Sequence, residues 1–474
     1  MENKARILEF LYKNSGNSYN VNQIARLVGV SIGSAFKILK KLEREDYAIV
    51  RKKGNEILYE LKINEKVRNE YSRIEREKNR KSRKKTKIVC LISHNASSGF
   101  IRKLISKGMD AAKIGPSLNE NDTLELIKAI RSASEEIPII LELPKSFDDA
   151  GKWIKFALKN GLDFICASFA RNGEDVKKIN HYLGYTDIKQ VIGSRIKVIA
   201  KIEKDALKNY REIVQEAYGI MIDRDSLLTD KYEMLPVFQR AIIDECRKNG
   251  KPAIIATELL ESMNSSPKPR NSEVSDVANA VLDGASCVML SKSIIEGKYA
   301  IEALEAMEQI IKNVEAESIF DYDKNERPEN VIGNAAFGVG NGLKIDAVLA
   351  ITSGGYSARM VSSRRLRCRI IAAASSKKVF RQLNILWGVE PLFIDADLED
   401  ISNEEKKKAI LKALKRGFIK KTDQIAIIAS VFHSKSKRAN LFEIHKVNEF
   451  LDYVQNKRVI NREASDVARQ RASH

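Results

Sequence analysis

The sequence predicts an α/β protein: a (β/α)8 TIM barrel, then an open α/β domain, with a small, mainly α-helical domain ahead of both. Three observations carry this. Eight short apolar runs alternate with amphipathic stretches between residues 87 and 318, the arithmetic of eight strands ringed by helices. Four more such runs follow between 319 and 455. The charge is also uneven: residues 1–87 carry +12 of the net +19, so a basic head precedes a near-neutral body.

Composition narrows the class. The chain has 474 residues with a 43% apolar fraction, enough for sizeable cores. It has no apolar run of transmembrane length, and the opening MENKARILEF lacks a signal-peptide pattern, so a cytoplasmic protein with no membrane partner is expected. The five cysteines (Cys90, Cys166, Cys246, Cys287, Cys368) form no CxxC pair, which argues against a disulfide scaffold or a zinc ribbon.

In chain order, Ile7, Leu8 and Leu11 mark a first helix. Asn20 caps a second, carrying Val21, Ile24, Ala25, Leu27 and Val28. Gly29-Val30-Ser31 turns the chain, and Ser31 caps a third helix reaching about Asp46. Two alternating runs, 48–50 and 56–61, flank Lys52-Lys53-Gly54-Asn55 and read as a hairpin with a basic tip. Residues 1–62 thus resemble the winged helix-turn-helix family. That resemblance implies double-stranded DNA as a partner, met by Ser31, Ser34, Lys37, Lys40 and Lys41 on the third helix and by Arg51, Lys52 and Lys53 on the wing. Residues 63–86 read as a basic helical linker ending in RKSRKK.

The barrel strands are expected at 87–92, 109–114, 137–143, 162–168, 196–202, 218–222, 252–257 and 286–291. Helices are expected at 120–133, 149–160, 232–248 and 273–283. Site residues belong at the carboxyl ends of barrel strands. There the sequence offers Lys113, Glu142, Ser168, Lys201, Glu203, Asp225, Ser226, Thr257 and Ser291. In the last domain, strands are expected at 346–351, 369–373, 390–394 and 424–430, and residues 456–474 form a charged tail.

From Lys87 onward, KTKIVCLI, LISKGMDAAKI, ALKNGLDFICASFARN, IKVIAKIE, NGKPAIIATELLESM and SDVANAVLDGASCVMLS resemble pyruvate kinase. GGYSAR (354–359) and NILWGVEP (384–391) resemble that family's C-terminal regulatory domain. The resemblance places the essential lysine at Lys201, the first metal-binding carboxylate at Glu203 and the proton-relay threonine at Thr257. It places ligand contacts at Lys113, Ser117, Glu142 and Ser291, and an effector phosphate at Thr352, Ser353, Gly354, Gly355 and Ser357.

The departures are specific. LELPKSFDDAGKWIKFAL runs straight from third strand to third helix, where the family inserts a lid domain. The second metal-binding aspartate falls on Ser226, with Asp225 one residue early. The family's Arg-x-Asn becomes Lys113-Ile114-Gly115, its nearby Asp becomes Glu142, and its eighth loop reads Ser291-Lys292-Ser293-Ile294. A second effector loop reads HSKSKRAN, 433–440.

The leading expectation from the sequence is therefore a transcriptional regulator. Its winged helix would read DNA, and a catalytically eroded, pyruvate-kinase-like body would sense a small phosphorylated or carboxylate metabolite as a homo-oligomer (dimer or tetramer). The alternative is a divergent pyruvate kinase or related phosphoenolpyruvate enzyme. No cofactor is assigned under the first reading; magnesium and potassium follow under the second.

Overall fold

The structure is a computed structural model. It describes residues 2–62, 64, 67, 84–116, 119–184, 195–227, 232–257, 259–291, 295–317, 331–342, 345–398, 401–429 and 440–456. The expected linker 63–86 lies largely outside these residues, as do Ser117, Lys292-Ser293-Ile294, the loop 431–439 and the tail from 457. The chain separates into two compact units, Met1–Arg83 and Lys84–His474.

In the first unit, helices Glu2–Lys13, Val21–Val28 and Ile32–Arg44 are followed by strands β2 (Ala48–Lys53) and β3 (Glu56–Leu61). A two-residue strand β1 (Tyr19–Asn20) joins them in the sheet order β1-β3-β2. Asn20 and Gln23 form a reciprocal capping box, each side chain accepting the other's backbone N–H at 2.9 Å. Gly29, at φ +68, ends that helix in the left-handed conformation that disfavours a Cβ. Ser31 caps the next, which ends at Arg44 rather than at the expected Asp46, because Asp46 itself turns to φ +62. Ile7, Leu8, Ile24, Leu39, Leu42 and Tyr59 form the core of the unit.

The second unit opens with a closed, all-parallel barrel: β4 (Lys87–Leu91), β5 (Ala111–Ile114), β6 (Ile139–Glu142), β7 (Phe164–Ala167), β8 (Lys197–Ile202), β9 (Gly219–Asp223), β10 (Ala253–Ala256) and β11 (Cys287–Leu290). Nearly every strand residue is buried, as expected when helices cover one face and the barrel interior covers the other. Val89, Ile140, Phe164, Ile199, Met221 and Ile254 help fill the interior. From Glu142 only four residues lead to the next helix, Phe147–Lys159.

The α/β domain has β12 (Ala347–Ile351), β13 (Arg369–Ala374), β14 (Val389–Phe393), β15 (Gln424–Ala429) and β16 (Leu441–Lys446), ordered β14-β13-β12-β15-β16. Strand β16, antiparallel to β15, was not expected; its LFEIHK is a half-buried edge without a long apolar run. The domain is fastened to the barrel by buried Asp163. Its carboxylate accepts from Arg131 Nη2 and Arg381 Nε, each at 2.7 Å, and Gln382 Nε2 donates to its carbonyl at 2.9 Å. Ile385 caps the interior cluster of the barrel. Among the described residues, no helix is long and apolar enough to cross a membrane.

Candidate active site

The carboxyl ends of the barrel strands bring five of the expected residues together. Lys113, on β5, is 3% exposed and pairs with Glu142 at the end of β6. Glu142 also accepts from Ser168 Oγ at 2.7 Å and Lys201 Nζ at 3.2 Å. Burial alone would raise the Glu142 pKa, but Lys113 and Lys201, with hydrogen bonds from Lys113 and Ser168, hold it down to about 2. Lys201, on β8, lies 3.3 Å from Glu203 Oε1, just beyond the end of its own strand.

The strongest partner of Lys201 was missed in the sequence. Asp223, the last residue of β9, sits 2.5 Å from Lys201 Nζ. Ser226 stands in the short helix Arg224–Leu227 and donates to Asp223 Oδ2 at 3.2 Å, while Asp225 is exposed. Position 226, where the resemblance puts the second metal-binding aspartate, thus holds a serine, and the carboxylate that faces Lys201 comes from the strand end three residues earlier. An acidic residue closing GIMID was the available signal. Burial works against Lys201, yet Glu142 and Asp223 outweigh it and raise its pKa, which favours the ammonium at neutral pH.

Thr257, just after β10, has φ +65, unusual for a β-branched residue. Its Oγ1 lies 3.2 Å from Asp223 Oδ1 and 2.7 Å from the Ala256 carbonyl oxygen, and it accepts from Asp225 N at 3.3 Å. Buried Arg224, also unforeseen, donates to both oxygens of Asp276 at 2.7 Å and to the Thr257 carbonyl at 3.2 Å, pinning this turn. Lys145, exposed in the short link after β6, reaches Glu203 Oε2 at 3.0 Å.

Ser291 directly follows β11 at the same rim, where its Oγ donates to Glu261 at 2.8 Å. The expected effector residues lie in the α/β domain. Thr352 and Ser357 are buried, and Thr352 Oγ1 accepts from Gly355 N at 2.9 Å, so that N–H is already used; only Ser353 in this turn is exposed. In the first unit Ser31, Lys37, Lys41, Lys52 and Lys53 are exposed, whereas Ser34 and Lys40 are half-buried. Lys40 pairs with Glu43 at 2.9 Å, Lys41 with Glu45 at 3.7 Å and Arg51 with Glu60 at 2.9 Å.

Comparison with known proteins agrees with the barrel geometry. The family "Pyruvate kinase, barrel domain" matches residues 141–304, and "Pyruvate kinase, alpha/beta domain" matches 330–445. Pyruvate kinase of Sporosarcina psychrophila is 33% identical over 322 residues, 66% of this chain and 54% of that protein. The Lactobacillus delbrueckii subsp. bulgaricus enzyme is 32% identical over 335 residues, 68% of this chain and 55% of its own length. The Clostridium acetobutylicum enzyme is 32% identical over 320 residues, 65% of this chain and 66% of its own. The chain spans about half the length of the first two. These matches overturn the expectation of a DNA-binding transcriptional regulator: the relatives are pyruvate kinases, and neither family match touches the N-terminal unit. The protein carries the barrel and the C-terminal α/β domain of the pyruvate kinase family.

Proposed function

We propose that the protein is a divergent pyruvate kinase that moves the phosphoryl group of phosphoenolpyruvate to ADP. One observation carries the reading: the Lys201 ammonium faces Glu142, Glu203 and Asp223 at the barrel mouth. In this transfer the P–O bond of the enol phosphate breaks and a bond to the terminal phosphate oxygen of ADP forms. The enolate then takes a proton at carbon. The protein's task is to place and neutralise charge. Lys201 would meet the negative charge of the transferring group, and Thr257 would relay the proton.

Pyruvate kinases use magnesium and potassium, and the two fare differently here. Glu203 Oε1 is buried and accepts no hydrogen bond, and Asp223 stands across Lys201 from it. Glu203 Oε1 is therefore the hard oxygen open to a divalent cation; both Asp223 oxygens already serve Lys201, Ser226 and Thr257, so such an ion would draw most of its ligands from substrate and water. Such an ion would supply neutralisation of the phosphoryl oxygens. Among the described residues no group of three or more His, Cys, Asp or Glu could hold a metal alone. Potassium does not fit beside Glu142: one of its oxygens is taken by Lys113, the other by Ser168 and Lys201.

The N-terminal unit belongs to this proposal only as a fold: its helix and hairpin order supports a winged helix-turn-helix module. Within the same reading we place the protein in the cytoplasm as a homo-oligomer. The test is a coupled assay with phosphoenolpyruvate, ADP and magnesium. We expect ADP-dependent pyruvate formation, with Lys201→Ala lowering kcat/KM by about 10³ or more. Absence of turnover in the wild type, or full activity in Lys201→Ala, would refute the reading.

A further inference from the structure

We propose that Lys145 is a positioning residue for the phosphoryl transfer: its ammonium holds the Glu203 carboxylate in place of a divalent cation and releases it when that cation and an anionic substrate arrive together. The inference deepens the pyruvate kinase reading and rests on it. Lys145 lies at the barrel mouth, among the four residues between β6 and the helix Phe147–Lys159. That link is held at both ends. Leu143 is fully buried and donates its backbone N–H to the Cys166 carbonyl at 2.8 Å, and Ser146 caps the helix by accepting from Asp149 N. Between them, Pro144 fixes one backbone angle. The Lys145 backbone is therefore fixed, while its side chain is 72% exposed and reaches Glu203 Oε2 at 3.0 Å.

Glu203 stands between two ammonium groups that differ in freedom. Lys201, 14% exposed, lies 3.3 Å from Oε1 and is also tied to Glu142 and Asp223, so it stays in place. Among the described residues, Lys145 has Glu203 as its one hydrogen-bond and ion-pair partner. Glu203 Oε1 is buried and accepts no hydrogen bond. The Glu203 side chain also caps no backbone N–H of the helix Lys204–Asn209 that follows it. Of the groups that hold this carboxylate, Lys145 is thus the one that can be exchanged.

An exposed ion pair contributes little, because two hydrated groups gain modest attraction and lose side-chain freedom. Its exchange for a divalent cation is therefore within reach. A doubly charged ion at Glu203 repels the ammonium it replaces, which then needs a new anionic partner. Ion binding alone loses the Lys145–Glu203 pair, whereas a substrate phosphate gives Lys145 an equivalent pair in return. Ion and substrate thus favour each other through this side chain, and the coupling is reciprocal.

The test is Mn2+ binding to the full chain, read from the free-ion EPR signal and requiring no turnover. Lys145→Met should tighten Mn2+ about two- to fivefold, the contribution of one exposed ion pair, and Lys145→Arg should stay within about twofold of the wild type. The gain should fade at about 1 M sodium chloride, where exposed pairs are screened, and should vanish in a Glu203→Gln background. Saturating phosphoenolpyruvate should tighten Mn2+ more in the wild type than in Lys145→Met, by about the same factor. Unchanged Mn2+ affinity in Lys145→Met would overturn the inference. So would a gain that survives high salt or Glu203→Gln, or equal tightening by phosphoenolpyruvate in both proteins. A coupled assay on the same samples keeps the two readings apart: absent turnover refutes the transfer, whereas the Mn2+ data alone judge Lys145.

Discussion

Replacing Glu142 by Gln should be among the most damaging single changes in the barrel, and its cost should depend on Lys113. Lys113 is 3% exposed and its side-chain partner is Glu142, so Glu142→Gln strands a buried ammonium. Breaking such a pair from one side costs about 3–5 kcal/mol. Lys113→Met should cost less, about 1–3 kcal/mol, because Glu142 keeps Ser168 at 2.7 Å and Lys201 at 3.2 Å. The double variant should recover about 2 kcal/mol relative to the sum of the singles. The assay is urea unfolding followed through Trp153, which packs against the barrel core. At a typical urea slope, the Glu142→Gln midpoint should fall by roughly 1–2 M. A pH series supplies the sign. The Glu142 pKa in the folded protein, about 2, lies below its ordinary 4.5. Its contribution is therefore full above pH 4.5 and is lost as pH falls through 2. The wild type should lose about 3 kcal/mol across that window and the Gln variant should not. Additive costs, or identical acid limbs, would refute the reasoning.

Three further outcomes follow from the mouth. Asp223→Asn should raise the half-saturating magnesium of turnover about tenfold or more, while Ser226→Ala leaves it within about twofold; a magnesium titration of the coupled assay separates them. Arg224→Met should lower kcat about tenfold by freeing the turn that holds Thr257, with a smaller change in KM. Turnover should be unchanged when potassium is replaced by tetramethylammonium, because Lys113 already supplies the positive charge beside Glu142.

How much of this was legible follows from where the signals lie along the chain. The eight barrel strands could be read as apolar runs because parallel strands are buried on both faces. The caps at Asn20 and Ser31 were readable because capping is local chemistry. Strand β16 escaped because an antiparallel edge needs no apolar run. Asp223 escaped for a different reason. Resemblance directs attention to position 226, yet the requirement is a carboxylate facing Lys201, and a strand end satisfies it from another position. Lys145 looks like any surface lysine until the short link after β6 swings it toward Glu203.

The electrostatics of the mouth also fix which chemistry its residues can perform. Lys201 is held charged by Glu142 and Asp223 against the opposing effect of burial, so it cannot act as a base near neutral pH. Glu142 is held ionised from the other side by two ammonium groups, so it cannot act as an acid there. On the proposed reading, Thr257 would carry the proton. Its hydroxyl touches Asp223 on one side and accepts Asp225 N–H on the other, so it can pass a proton only as a relay to a further acceptor. A site with fixed charges and a hydroxyl relay suits phosphoryl transfer, where the bond changes occur between substrates and the protein stabilises charge. It does not suit a reaction that requires the protein itself to take up a carbon-bound proton in a slow step. The four-residue link after Glu142 adds one consequence. With no inserted domain at that point, water must be excluded by the substrates and by side chains such as Lys145. Pyruvate released without ADP should therefore be a measurable fraction of total turnover, and Lys145→Ala should increase that fraction; a strictly ADP-dependent release in both proteins would show that the mouth is sealed by other means.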